Sequence, residues 1–351
     1  MKLSVVIVSY NVRYYLQQCI TSVLRATEEM DAEIWVVDNA STDGSVAYLK
    51  PLFPEVHFIE NHDNVGFSRA NNQAIRLCTG EYVLLLNPDT LVAEDTLPGC
   101  VSFMDSHPEV GGVGVRMLHS DGSFAPESRR GLPTPFVSFC KMCGLSKLFP
   151  KSRIFGRYYL RYLDPDQPNS IEVISGAFNM VRHAAFNQIG LLDEDFFMYG
   201  EDIDLSYRLL QGGWKNYYLP YDILHYKGES TIKSSYRYVH VFYNAMLIFF
   251  NKHYRHRYFY LGWAIQLAVI VRAFLDFCVQ NYHLLRSRLN YPIQYTKPQY
   301  IRFDIDTTPV SKILQALRHQ KNGHRRHLET ISRKAGLIVR LDDVELLSQN
   351  T

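Results

Sequence analysis

The sequence lacks both glycine-rich phosphate cradles. No G-x-x-x-x-G-K-[ST] follows its first apolar run, and GGVG at 111–114 has neither the spacing nor the position of the dinucleotide fingerprint. A nucleotide bound here is held by other means. A marked excess of one sign of charge is also lacking. The formal net charge of +2 is too near neutral to argue for a nucleic-acid partner. Cysteines are few and scattered, at Cys19, Cys78, Cys100, Cys140, Cys143 and Cys278. Only Cys140 and Cys143 form a C-x-x-C pair, and no second Cys or His pair stands beside it at zinc spacing. We therefore expect free thiols in a reducing compartment rather than a zinc or redox site. The apolar run at 3–8 is only strand-length and passes straight into Ser9-Tyr10-Asn11, so it does not read as a secretory signal.

Apolar residues, by contrast, are plentiful. They make up 47% of 351 residues, enough for a large core in one domain or two. Strand-length runs at 3–8, 33–37, 56–60 and 82–86 alternate with helical patterns at 12–25, from Ser45, and at 67–78. Such alternation predicts a parallel sheet with covering helices and right-handed crossovers. Beyond 113–117 the pattern breaks. Residues 124–169 are rich in Pro, aromatics, Arg and Lys with no sustained period, which marks a functional or mobile insertion. Strand character returns at 171–174 and 217–219, with a helix at 202–211 ended by Gly212 and Gly213.

Chemistry-bearing residues gather at the ends of these runs. In LLLNPDT (84–90) Pro88 stops the strand because it cannot donate to a ladder. Asp89 is thereby delivered to the carboxyl end of a parallel strand, where open α/β sheets bind ligands. One carboxylate there suits a hard divalent cation that also holds phosphates. Asn-Pro-Asp is equally good turn chemistry. Asp38, ending the second strand, can accept from a base N–H or a ribose hydroxyl, or close an Asx turn. Ser175, Gly176 and Ala177 leave room for a ligand to approach the backbone, or simply pack tightly. Glu201, Asp202 and Asp204 open a helix, where carboxylates favour the macrodipole. The aromatic run Phe196, Phe197, Tyr199 adds an apolar wall that raises carboxylate basicity, as a general base requires. His225 is either a structural histidine or a metal ligand. Arg129, Arg130, Lys147, Lys151 and Arg153 either meet phosphates or form a solvated face.

In order and spacing, SVVIVSYN (4–11), VVDNASTDGS (36–45), NVGFSRANNQAI (64–75), LLLNPDT, SGAFNMVR (175–182), LDEDFFMYGEDIDLSYRL (192–209) and HYKGEST (225–231) form one set. With it the chain resembles glycosyltransferase family 2, inverting enzymes of the GT-A fold, and within that family the rhamnosyltransferase-like subgroup. The resemblance implies a Rossmann-like, mostly parallel sheet with helices on both faces over 1–235; we read 124–169 within it as an acceptor-side insertion. It implies Ser9 and Asp38 at the nucleobase, and Asn64, Gly66 and Asn71 lining the nucleotide pocket. Asp89 becomes the metal-binding end of a D-x-D motif that reads Asn87-Pro88-Asp89 here, with Asn87 on the nucleotide sugar. Asp202 becomes the base, Glu201 its neighbour in the acceptor site, and His225 a completing ligand for Mg²⁺ or Mn²⁺. Arg208 falls to structural support. The implied activity is metal-dependent inverting transfer from dTDP-L-rhamnose or a UDP-hexose to a hydroxyl of a glycan or polyprenyl-diphosphate-linked acceptor. Cell-surface polysaccharide synthesis at the inner face of the cytoplasmic membrane is the setting expected.

From Tyr236 the pattern turns helical and aromatic. Basic residues at 252–257 precede an uncharged run at 258–271, which suits a monotopic membrane helix or a buried one. We expect 236–290 to be a helical, membrane-associating extension and 291–351 a basic tail carrying HRRH at 324–327. Two rivals stand. A nucleotidyltransferase on a similar fold would release diphosphate, and the Glu201-Asp202 pair and His225 argue against it. A non-catalytic sugar-nucleotide-binding subunit is disfavoured by the intact acidic residues.

Overall fold

The computed structural model describes residues 1–226, 236–255, 298–321, 325–341 and 343–347. The first part runs β1 (Leu3–Ser9), α1 (Arg13–Ala26), β2 (Ala32–Asp38), α2 (Ser45–Leu49), β3 (His57–Glu60), α3 (Phe67–Ile75) and β4 (Tyr82–Leu86). It continues through β5 (Thr90–Val92), α4 (Thr96–Ser106), β6 (Val110–Leu118), α5 (Pro135–Met142), α6 (Leu145–Leu148) and β7 (Asn169–Ile171). Then come β8 (Phe178–Arg182), α7 (His183–Ile189), α8 (Glu201–Gln211), β9 (Lys215–His225) and α9 (Tyr236–His253). A last group holds β10 (Tyr300–Asp304), α10 (Val310–Arg318), β11 (His327–Ser332), β12 (Leu337–Val339) and β13 (Val344–Leu346).

The main sheet has strand order β3-β2-β1-β4-β8-β6-β9-β5, with β7 also on β9. β3, β2, β1 and β4 pair in parallel, as do β6 and β9, while β8, β5 and β7 run against their neighbours. The sheet is therefore mixed and mostly parallel. Period-two alternation explains its two covered faces. Leu3, Val5 and Ile7 of β1, with Tyr82, Leu84 and Leu86 of β4, pack on α1 and α4. Val6 and Val8, with Val83 and Leu85, pack on α3, α7 and α8. β4 has the bounds its apolar run predicts, and Pro88-Asp89 turns directly into β5.

One expectation needs correction. Tyr236–His253 is helical as expected. The later described residues, however, form a small sheet, β10-β11-β12-β13, with α10, and not a helical extension or a patternless tail. Its strands are short and partly polar, so their periodicity is weak. They are held by tertiary burial. Val310, Ile313, Leu314 and Leu317 of α10 are fully buried, with Leu328 and Val339, against Leu91, Leu118 and Leu224 of the main domain. Each such side chain contributes roughly 1.5–3 kcal/mol. Polar links reinforce the joint. The Glu94 carboxylate accepts from the Val310 and Ser311 N–H groups at 2.7 and 2.9 Å, capping α10. Gln18 donates to Thr330 at 2.5 Å and accepts from the Tyr226 hydroxyl at 3.3 Å.

Among the described residues no helix is long and apolar enough to cross a membrane. The uncharged run at 258–271 lies outside the described residues. The described cysteines are free thiols.

Candidate active site

Strand ends and one helix start converge on a cleft of about 320 Å³, walled by residues that include Ser9, Asn64, Asn87, Asp89, Glu201, Asp202 and His225. The β5/β9 pairing accounts for one corner. Thr90 stands opposite His225, so Asp89, one residue earlier, meets the histidine. Asp89 Oδ1 lies 3.2 Å from His225 Nε2, and Asn87 Nδ2 lies 3.3 Å from the same nitrogen. The Tyr226 N–H donates to the Asp89 carbonyl at 3.0 Å, holding the turn to the strand. Hard-cation sites commonly pair one or two protein ligands with substrate phosphates and water. Among the described residues no larger group of His, Cys, Asp or Glu gathers. A carboxylate oxygen and an imidazole nitrogen, side by side on the wall of this cleft, could serve as the protein's share of such a site.

The opposite corner is the start of α8. Tyr199 and Gly200 take positive φ, 67° and 85°, and turn the chain so that Glu201 and Asp202 enter the cleft from the helix N-terminus. The Asp202 carboxylate accepts from the Gly176 N–H at 3.1 Å and the Ile203 N–H at 2.8 Å, and forms an ion pair with Arg130. Burial opposes the Arg130 charge, but Asp202 outweighs it and holds the guanidinium pKa above its ordinary value. Glu201 lacks such a partner. Burial and the neighbouring Asp202 charge push its carboxyl up to about 8, which favours the protonated form.

Several buried acceptors near the cleft have no partner: Ser9 Oγ, Asp38 Oδ1, Asn71 Oδ1 and Glu201 Oε2. Buried polar atoms are normally paired, so such a cluster marks a place built for a ligand.

The structure divides the expected residues. Asp38 is not among the lining residues. Its Oδ2 accepts from the Ser41 N–H at 2.9 Å, the Asx turn, while Oδ1 stays unpaired. Gly66 and Asn71 stand behind the wall. Gly66 has φ +87°, and an added Cβ would meet the Phe197 ring at 2.7 Å, so this glycine permits the α3 start to pack on the 196–199 segment. Asn71 donates to the Phe67 carbonyl at 2.9 Å. Asn64 does line the cleft, and its side chain accepts from Asn39 at 2.9 Å and from the Gly66 N–H at 3.1 Å.

The acidic cluster also splits. Asp204 turns away to Arg208 at 2.7 Å and His253 of α9 at 2.6 Å. Burial opposes its charge, but those partners hold its carboxyl below the ordinary range. Arg208 also donates to the carbonyls of Ile189 and Leu191, both at 2.9 Å, which is the supporting role expected of it. The residue the motif pattern does not single out is Arg130. It lies on the aperiodic stretch, 72 positions from its partner, and only its basic surroundings hinted at a role.

Comparisons with known proteins bear on the family and the fold. The model of Glycosyl transferase family 2 matches residues 4–190, more than half of the chain, and stops short of Glu201, Asp202 and His225. The chain is similar to an N-acetylglucosaminyl-diphospho-decaprenol L-rhamnosyltransferase of Mycobacterium tuberculosis, at 29% identity over 65% of this chain and 77% of the relative. It is also similar to rhamnosyltransferase WbbL of Escherichia coli, at 27% identity over 50% of this chain and 70% of that protein. The structure of GalNAc-T7 with UDP, GalNAc and Mn²⁺ shares the fold, with a TM-score of 0.51 at 18% identity over 70% of this chain and 47% of that one.

Proposed function

The chain belongs to glycosyl transferase family 2, a nucleotide-sugar glycosyltransferase, and on that premise we propose that the cleft performs single-displacement, inverting transfer to a lipid-linked acceptor. The observation that carries this is the convergence of Asp89, His225, Glu201 and Asp202 on one cleft bordered by unpaired buried acceptors. Ser9 and Asn64 face the nucleotide, with Asp38 behind them. Asp89 and His225 would hold Mg²⁺ or Mn²⁺, which when bound supplies Lewis-acid neutralisation of the diphosphate charge. Asp202 takes the proton of an acceptor hydroxyl while its oxygen attacks the anomeric carbon from the face opposite the diphosphate. The sugar–phosphate C–O bond breaks in the same step, and the nucleoside diphosphate leaves with both electrons. Oδ2 of Asp202 is engaged by Arg130 and Gly176 and Oδ1 accepts from the Ile203 N–H, which fixes the carboxylate and leaves a second lone pair of Oδ1 for the incoming hydroxyl. Protonated Glu201 donates a hydrogen bond to the acceptor beside it. No separate nucleophile is required.

The relatives point to dTDP-L-rhamnose as the first donor to test and UDP-hexoses as the next. The name of the M. tuberculosis relative places its own acceptor on a diphospho-polyprenol, and we adopt that acceptor class. A donor panel with Mg²⁺ or Mn²⁺, with and without chelator, read by nucleoside diphosphate release, tests the proposal. We expect one deoxythymidine or uridine donor to turn over, chelator to stop it, and Asp89→Asn to lower the rate by roughly 10²-fold while raising the metal concentration needed. Turnover indifferent to chelator and to Asp89→Asn would remove the metal role. Release of diphosphate instead would favour nucleotidyl transfer.

A further inference from the structure

Aromatic and aliphatic side chains cluster on the outside of the 124–169 stretch. α5 has an inner face, Val137 and Cys140, that is buried, and an outer face, Phe136, Phe139 and Met142, that is exposed. Leu148, Phe149 and Ile154 extend the exposed set, with Phe139 60% and Leu148 70% exposed. α5 and α6 pack against each other, which puts Phe136, Phe139, Met142 and Leu148 in one local unit, and Phe149 follows α6 directly. Exposed apolar groups at this density mark an interaction surface.

Charge identifies what it meets. From Ser128 to Leu163 there is no Asp or Glu, and there are eight Arg and Lys: Arg129, Arg130, Lys141, Lys147, Lys151, Arg153, Arg157 and Arg161. Several are engaged internally. Arg130 is paired with Asp202 and Arg157 with Glu172, and Lys141 lies 3.4 Å from the Tyr158 ring centroid. Lys147, Lys151 and Arg153 are exposed and make no ion pair among the described residues. Apolar side chains beside cations, with no acid among them, complement one surface above others: acyl chains beneath anionic headgroups.

We propose that the outer face of α5 and the turn through Ile154 dock on an anionic phospholipid bilayer. Geometry gives this docking a use. Glu127 and Arg130 line the cleft, and Phe136 follows Arg130 by at most about 22 Å of extended chain. Seating α5 in the headgroup layer therefore brings the Asp202 corner close to the membrane surface, where a lipid-borne diphosphate acceptor lies. That use rests on the proposed acceptor; the binding does not.

Vesicle flotation of the full chain tests it, with phosphatidylcholine alone or with about a third phosphatidylglycerol. We expect flotation with the anionic vesicles, weakened by salt, and little with the neutral ones. Phe136→Ser/Phe139→Ser/Phe149→Ser and Lys147→Glu/Lys151→Glu/Arg153→Glu should each lower the partition about tenfold or more. Both should keep the wild-type thermal midpoint and transfer to a water-soluble acceptor analogue. Wild-type flotation undiminished in both variants would move the docking elsewhere in the chain. No flotation with either vesicle would overturn it, and a concentration-dependent dimer abolished by the aromatic changes would assign the face to a second copy. Flotation as expected, with no donor turned over, would leave the docking standing and remove the transfer reading instead.

Discussion

The two walls of the cleft are built in opposite ways. One wall is made of strand ends. Ser9 closes β1, Asn87 and Asp89 follow β4, and His225 ends β9, all anchored in a sheet covered on both faces. The other wall is assembled from pieces distant in sequence: Arg130 from the aperiodic stretch, Gly176 before β8, and Glu201 and Asp202 at the α8 start. Its geometry depends on an ion pair and a few backbone hydrogen bonds. Strand ends in a covered sheet offer fixed positions, which on the proposed reading suit a constant feature such as a nucleoside diphosphate. A wall tied together by side chains can vary with the acceptor without disturbing the sheet.

Substitutions at three positions press on this contrast. The largest effect is expected at Asp202. Asp202→Asn should lower kcat by about 10³-fold, within the span of general-base contributions, and leave the KM for the nucleotide sugar nearly unchanged. Steady-state kinetics check this, and a wild-type rate would place the base elsewhere. A loss in nucleotide-sugar KM instead would mean that the two walls are not independent. Next is Arg130. Arg130→Met removes the ion pair, and we expect kcat/KM for the acceptor to fall about tenfold while nucleotide affinity, measured by calorimetry, holds. Arg130→Lys should restore part of the loss, because the charge returns without the planar fork.

The smallest effect concerns stability. The Glu201 carboxyl is raised by burial, with Asp202 adding to it, so the folded chain holds a proton that the unfolded chain has lost. Its contribution is fully present below the ordinary carboxyl range and falls away as pH rises from there to about 8. Thermal melts across that window should show a declining midpoint for the wild type. Glu201→Gln should decline less steeply, by a few degrees at most for a chain of this size. Parallel curves would mean that Glu201 is charged in the folded state.

The strand-end wall is the legible one. Tyr82–Leu86 reads directly as a buried strand because five consecutive apolar residues are followed by Asn87 and a proline. Asp89 follows from it. β5 is not legible, since Thr90–Val92 is three residues long and exists through its pairing with β9. The Arg130–Asp202 pair leaves no local trace, because the two residues share neither a period nor a motif. The acidic helix is legible as a cluster but not in its division of labour. Only packing against α9 sends Asp204 to His253 while its neighbours face the cleft. The C-terminal sheet is the least legible part of the fold. Val310, Ile313, Leu314 and Leu317 do stand at helical spacing and could have been read as a buried stripe. The flanking strands of three to six residues carry too little alternation to place beside it.

That small sheet bears on how far this domain is portable. Leu91 and Leu224, the neighbours of the Asp89–His225 corner in β5 and β9, are covered by α10 and β11. Gln18 ties Tyr226, one residue past His225, to Thr330. The segment shared with the family is therefore not a cassette that can be lifted out and grafted. The transplantable unit includes a C-terminal brace that begins at Tyr300, and removing that brace is expected to loosen the Asp89–His225 corner.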